Sequence, residues 1–247
     1  MDDFNFIALV LVVFLIAGSV KGVVGLGLPT VSLAILATFV GVKEAIVLML
    51  VPSFVANVWQ ALVGGELVNI LKRTWTLLAA AAAATFVGAD LLADADAVVL
   101  RTMLGVLLAI YAVYSLAAPQ IPEPGRHEGW LSPVVGAFAG LFTGLTGTFV
   151  IPGVLYLQAL RLPRDTLIQA MGLAFTLATV SLAAALGVQG LVPADLGLIS
   201  AIAVLPALIG MVIGQWIRRR IPEETFRRVF FVALGLLGVF LAARAWF

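Results

Sequence analysis

Long apolar stretches separated by short polar ones dominate this chain, and they predict ten hydrophobic segments. In order, segment a covers residues 4–20, b 23–40, c 45–63, d 74–93 and e 98–118. A polar, proline-rich stretch follows at 119–129 and is the one substantial interruption. Beyond it come a′ at 131–142, b′ at 148–160, c′ at 167–188, d′ at 196–217 and e′ at 226–246. Runs of near-spanning length, without the alternation of barrel strands, predict an all-α polytopic membrane protein. The organisation expected is a first five-segment repeat at 1–118, a linker at 119–130 and a second repeat at 131–247.

Two glycine-rich motifs interrupt the apolar pattern. Gly18, Gly22 and Gly25 are followed by Gly27 and Pro29, and Gly140, Gly144 and Gly147 by Pro152. Both motifs read G-x3-G-x2-G, and they stand 122 residues apart. At the same offset Gly65 falls on Gly187, Gly88 on Gly210 and Asn57 on Thr179. Glycine permits positive φ and close backbone approach, and proline cannot continue a helical ladder upstream of itself. Interrupted apolar segments at matching places in two halves point to a transporter's binding site.

Composition sharpens the class. Of 247 residues, 63% are hydrophobic and 11% charged, against about 25% charged in a soluble domain. The start Met1-Asp2-Asp3-Phe4-Asn5 lacks the basic region of a signal peptide, so segment a is expected to remain in the mature protein. The chain has no Cys, which excludes disulfides and thiolate chemistry.

Charge then orients the segments. With Met1 outside, the cytoplasmic face collects Lys21, Lys72, Arg73, Arg126, Arg161, Arg164, Arg218, Arg219, Arg220, Arg227 and Arg228. Only Lys43, Arg101 and Arg244 of the 14 basic residues stay outside. That positive-inside bias fits a bacterial inner membrane, and five segments per half make the repeats inverted. Because a′ and b′ are short, a/b and a′/b′ either cross fully or form re-entrant hairpins whose glycine turns meet inside the membrane. The native chain lacks Cys, so single-Cys variants test the topology. Cys at Arg219 and at Glu123 should label only from the cytoplasmic side, and Cys at Ala95 only from outside. Labelling of 95 and 219 from one side would end the inverted reading.

At these motifs, and in the repeat around them, the chain resembles the TauE/SafE family of sulfite-exporter-like membrane transporters. The resemblance covers nearly the whole chain, with small departures at Leu26 and Leu28 around Gly27 and at Thr146 and Thr148 around Gly147. It implies a secondary transporter of small, often sulfur-containing anions, of the sulfite, sulfonate or sulfoacetate type. It does not choose among them.

The residues themselves place the anion between the two breaks. Unpaired N–H groups collect where b and b′ start. Ser19, Lys21, Gly22, Gly25 and Gly27 surround the first break, and Thr143, Gly144, Thr146, Gly147 and Thr148 the second. Asn57, Gln60 and Thr179 extend the candidate pathway along c and c′, with Thr176 and Gln169 nearby.

Each feature has a plainer alternative. Gly18/Gly22, Gly136/Gly140/Gly144 and Gly210/Gly214 also suit close helix packing. Lys21 either snorkels from a helix end or sits buried near substrate. Polar residues in c and c′ either line the path or bond neighbouring helices. Asp90 is either an interfacial acid or a proton-coupling group. Pro52 and Pro206 are expected to kink c and d′, and most of the tryptophans to form an aromatic belt.

Enzyme chemistry finds no support: the single His127 lies in the linker, and no metalloprotease or nucleophile motif occurs. No cofactor, metal or nucleic acid is implied, only a small anion and the bilayer, with a homodimer left open. An anion channel and a structural membrane scaffold remain the alternatives to a carrier.

Overall fold

The computed structural model describes residues 3–117 and 121–244, and all regular structure among them is helical. The helices are α1 Asp3–Val24, α2 Leu28–Phe39, α3 Val42–Leu62, α4 Leu67–Asp94, α5 Ala97–Ala117 and α6 Glu128–Thr146. They continue as α7 Leu155–Ala159, α8 Arg164–Val188, α9 Ala194–Ile202, α10 Val204–Arg218 and α11 Glu223–Arg244. Among the described residues eight stretches are long and apolar enough to cross a membrane, with α9 and α10 counted as one. The shorter stretches are α2 and Val150–Ala159. Eight and two make the ten segments expected.

Several boundaries are corrected. Segment a continues to Val24, and a′ covers Glu128–Thr146 rather than 131–142. Their glycines lie inside the helices because neighbouring backbone covers them. An α1 of 22 residues rises about 33 Å, enough for a hydrocarbon core of about 30 Å. In both places a long helix precedes a short one. Segment d begins at Leu67, so Lys72 and Arg73 stand on the helix. The end of the expected linker is already ordered as a 3-10 turn at Gly125–His127 and the start of α6. Pro119, Gln120 and Trp246 lie outside the described residues.

The helices form two compact units. The first holds α1, α2, α3 as far as Pro52, α5, α9, α10 and α11. The second holds α3 from Ser53, α4, α6, α7 and α8. Each unit draws on both halves of the sequence.

One kind of seam is built twice. In the first unit α1 lies on α10, with Gly18 facing Ala207 and Gly22 facing Gly214. A methyl group on Gly22 would come within 2.9 Å of the Gly214 Cα. In the second unit α6 lies on α4, with Gly136 on Leu77, Gly140 on Ala81 and Gly144 on Gly88. A methyl on Gly140 would stand 2.7 Å from the Ala81 Cα. In lipid, helices gain little from hydrophobic association, so this backbone-to-backbone packing supplies the attraction.

The seams also correct the repeat register. Gly22 pairs with Gly214 as Gly144 pairs with Gly88. The counterpart of Gly88 is therefore Gly214, not Gly210. In a G-x3-G face the two glycines lie one turn apart, so a slip of one turn leaves the sequence pattern intact. Gly210 itself packs on α1, near Leu15 and the Ser19 nitrogen.

Proline effects are resolved locally. Pro52 has no N–H, so the Leu48 carbonyl lacks its helical donor. The buried Ser200 hydroxyl replaces it, donating to Leu48 O at 2.8 Å and accepting from Val51 N–H at 3.2 Å. Segment d′ breaks at Ala203, which leaves Pro206 in the first turn of α10, where a missing N–H is harmless. In the second unit Arg73 bonds Glu128 through two nitrogens, at 2.8 and 2.9 Å, and ties α4 to α6. Trp216 is exposed, as a belt residue should be, with the Arg220 guanidinium 3.7 Å over its ring.

Candidate functional site

The first break is compact. α1 ends where Gly25 N–H bonds Lys21 O at 2.7 Å. Gly25 and Gly27 then take φ of +84° and +109°, left-handed conformations that an L side chain enters only with strain. Leu28 opens α2, Pro29 lies in its first turn, and Val31 N–H returns to Gly27 O at 2.8 Å. No side chain caps α2. Leu28 and Thr30 hold the first-turn N–H groups, which have no carbonyl one turn back to bond, and both residues are buried. A side chain on Gly25 would meet nothing within 4 Å, so this backbone borders open space.

Lys21 occupies the last turn of α1 with only 3% of its surface exposed. The snorkelling alternative is thereby excluded, because a snorkelling ammonium reaches the headgroups. The C-terminal dipole of α1 favours a cation at this position. Ser19 and Gly22 belong to the α10 seam instead. The Ser19 hydroxyl donates to Leu15 O at 2.8 Å, and Gly22 is covered by Gly214.

The second break, in the other unit, has a different build. Gly147, at φ +72°, caps α6, its N–H bonding Thr143 O at 2.8 Å. An irregular wide turn at Val150–Val154 follows, with Ile151 extended and a cis Ile151–Pro152 peptide, before α7. Three buried threonines hold the corner. Thr143 donates to Ala139 O at 2.7 Å, Thr146 donates to Phe142 O at 2.7 Å, and the Thr146 and Thr148 hydroxyls lie 2.9 Å apart. With Thr146 giving its proton to Phe142, Thr148 supplies the proton of that last bond. The hydroxyls are thus engaged in holding the turn, and backbone N–H groups are the donors left for an anion. Phe149, edge-on to Phe175 at 6.1 Å, supplies an apolar wall. Gly144 is buried in the α4 seam.

The candidates in c and c′ separate as well. Gln60 donates to Ile168 O at 2.8 Å, Gln169 donates to Ala61 O at 2.8 Å, and Glu66 N–H bonds the Gln169 side-chain oxygen at 3.0 Å. That ladder fastens the end of α3 to the start of α8. Thr176 and Thr179 bond back into their own helix, to Gly172 O and Phe175 O. Asn57 is fully buried. One turn earlier is Ser53, also fully buried, whose hydroxyl has no hydrogen-bond partner among the described residues. Thr176 and Thr179 each bond a carbonyl one turn back, and Ser53 does not. Sequence reading missed it, although its place directly after Pro52 was a usable signal. Thr30, directly after Pro29, was missed in the same way. Asp90 is exposed and accepts from the Gln189 side-chain amide, as an interfacial acid would.

Span-length apolar helices, with buried polar breaks inside them, define a polytopic helical membrane protein. The family model described as Sulfite exporter TauE/SafE matches residues 10–241, and the chain belongs to that family. This places it among membrane transport proteins for small anions. Neither a curated protein nor a solved structure matches the chain.

Proposed function

We propose that the protein is a secondary transporter of small sulfur-containing anions, of the sulfite, sulfonate or sulfoacetate type, working by alternating access in a bacterial inner membrane. The observation that carries this reading is Lys21, a buried lysine in the turn leading into the Gly25–Gly27 break. An ionisable side chain inside a membrane-spanning helix marks a candidate functional site, and an anion is the ligand that the charged form of a lysine takes. Beside it, the uncapped start of α2 offers neutral N–H donors and partial positive charge. Gly147 and the turn after it offer backbone donors in the second unit. Within that second unit, Ser53 presents a buried hydroxyl with no hydrogen-bond partner among the described residues.

Reconstituted into proteoliposomes, the protein should take up at least one anion from a panel of sulfite, methanesulfonate and sulfoacetate. Uptake should saturate with concentration and follow an imposed gradient, with chloride carried far more slowly. Large, unsaturable flux of every anion would instead indicate a pore.

A further inference from the structure

We propose that the first unit binds the phosphoethanolamine headgroup of a membrane lipid where α5 ends and α11 begins. A cavity of about 330 Å³ lies there, lined by Ser115 and Leu116 from α5 and by Glu224, Arg227, Arg228, Phe231 and Val232 from α11. Its chemistry is graded along α11. Glu224, Arg227 and Arg228 stand within one turn of each other, and the apolar Phe231 and Val232 follow one turn deeper. The polar mouth is therefore at the helix start, the membrane surface, and the apolar floor leads toward the hydrocarbon. Val232, Leu236, Val239 and Phe240 continue that floor as exposed side chains suited to acyl chains.

The charges select the headgroup. Two guanidiniums match a phosphodiester, since the planar guanidinium fork pairs with phosphate oxygens through two parallel bonds. Among the described residues Glu224 forms no ion pair with Arg227 or Arg228. A purely anionic headgroup would leave Glu224 facing a like charge. A headgroup that carries an ammonium beside its phosphate satisfies both signs, and a primary ammonium adds hydrogen bonds to the carboxylate.

The test uses delipidated, detergent-purified protein, with native mass spectrometry and thermal melting as readouts. Phosphatidylethanolamine should be retained and raise the melting temperature more than phosphatidylglycerol or phosphatidylcholine. Soluble glycerophosphoethanolamine, which distinguishes a headgroup alone from a lipid, should bind at least about tenfold more weakly, because it forgoes the burial of acyl chains. The double variant Arg227→Gln/Arg228→Gln should lose retention of all three lipids. Glu224→Gln should cancel the preference for phosphatidylethanolamine over phosphatidylglycerol. Arg219→Gln/Arg220→Gln removes equal charge outside the cavity and should change nothing. Equal retention by wild type and the Arg227/Arg228 variant would overturn the proposal, as would a wild-type preference for phosphatidylglycerol. If the double-arginine variant does not accumulate, Glu224→Gln decides: an unchanged lipid preference would overturn the assignment.

Discussion

Valine at Gly140 or Gly144 should prevent the protein from accumulating as a folded species, or lower its stability by about 3 kcal/mol or more, the upper end of overpacking costs. The added Cβ at Gly144 would stand 2.6 Å from the Gly88 carbonyl carbon and 2.5 Å from the Ala89 nitrogen. At Gly140 it would stand 2.7 Å from both Cα and carbonyl carbon of Ala81. These neighbours are backbone, which cannot rotate away as a side chain tip can. Gly18 and Gly22 repeat the situation against Ala207 and Gly214, so Gly22→Val should behave alike. Gly197 is the control: its position in α9 is open, with ordinary helical geometry. Gly197→Ala should leave melting unchanged or raise stability by about 0.5–1 kcal/mol. Gly25→Ala lies between these extremes. It meets no neighbour but must hold φ +84°, a strain of about 1–2 kcal/mol. Thermal melting of the detergent-solubilised variants separates the three classes. Similar melting for Gly144→Val and Gly197→Ala would show that the α4–α6 seam is not what holds the second unit.

The second large effect is expected at Lys21. Lys21→Met should reduce anion flux by about 10–100-fold, the loss of one charge-assisted hydrogen bond worth roughly 1.5–3 kcal/mol. Its melting temperature should change little, because a methionine of similar length fills the same buried space. Lys72, exposed on α4, provides the comparison. Lys72→Met should transport within about twofold of wild type, as expected for an exposed charge of little energetic weight. Lys21→Arg should retain part of the flux, since the charge stays but the bulkier planar fork redirects its donors. Reduced flux together with unchanged melting assigns Lys21 to transport. Equal, small effects at both lysines would remove it from the site.

Much of this architecture was legible in the sequence, for identifiable reasons. Spans show themselves by length and hydropathy, and the doubled motif shows itself because Gly18, Gly22 and Gly25 recur 122 residues later. What the pattern cannot distinguish is a glycine needed for a turn from one needed for a contact. Gly22 and Gly25 look alike in sequence, yet one is covered by Gly214 and the other adopts positive φ against open space. Only the partner helix decides, and that partner comes from the other half of the chain, α10 for α1 and α4 for α6. Helix ends were misjudged for a related reason. Lys72 and Arg73 read as a loop, although long basic side chains ride easily on the end of a spanning helix. Among the polar candidates, Gln60 had a structural role through Ile168 O, while Ser53 is the hydroxyl left over. A hydroxyl's partner depends on rotamer and neighbours, which residue type does not record.

The proposal that this protein is a carrier of small anions is tested most directly by counterflow. Proteoliposomes preloaded with unlabelled sulfite, or with whichever panel anion is carried fastest, are diluted into a trace of the radiolabelled anion. An alternating-access carrier returns each time with external label, so label should accumulate transiently above its equilibrium level and then decline, and Lys21→Met should abolish the overshoot. Label that rises smoothly to equilibrium without overshoot in wild-type vesicles, at any preload, would contradict the account.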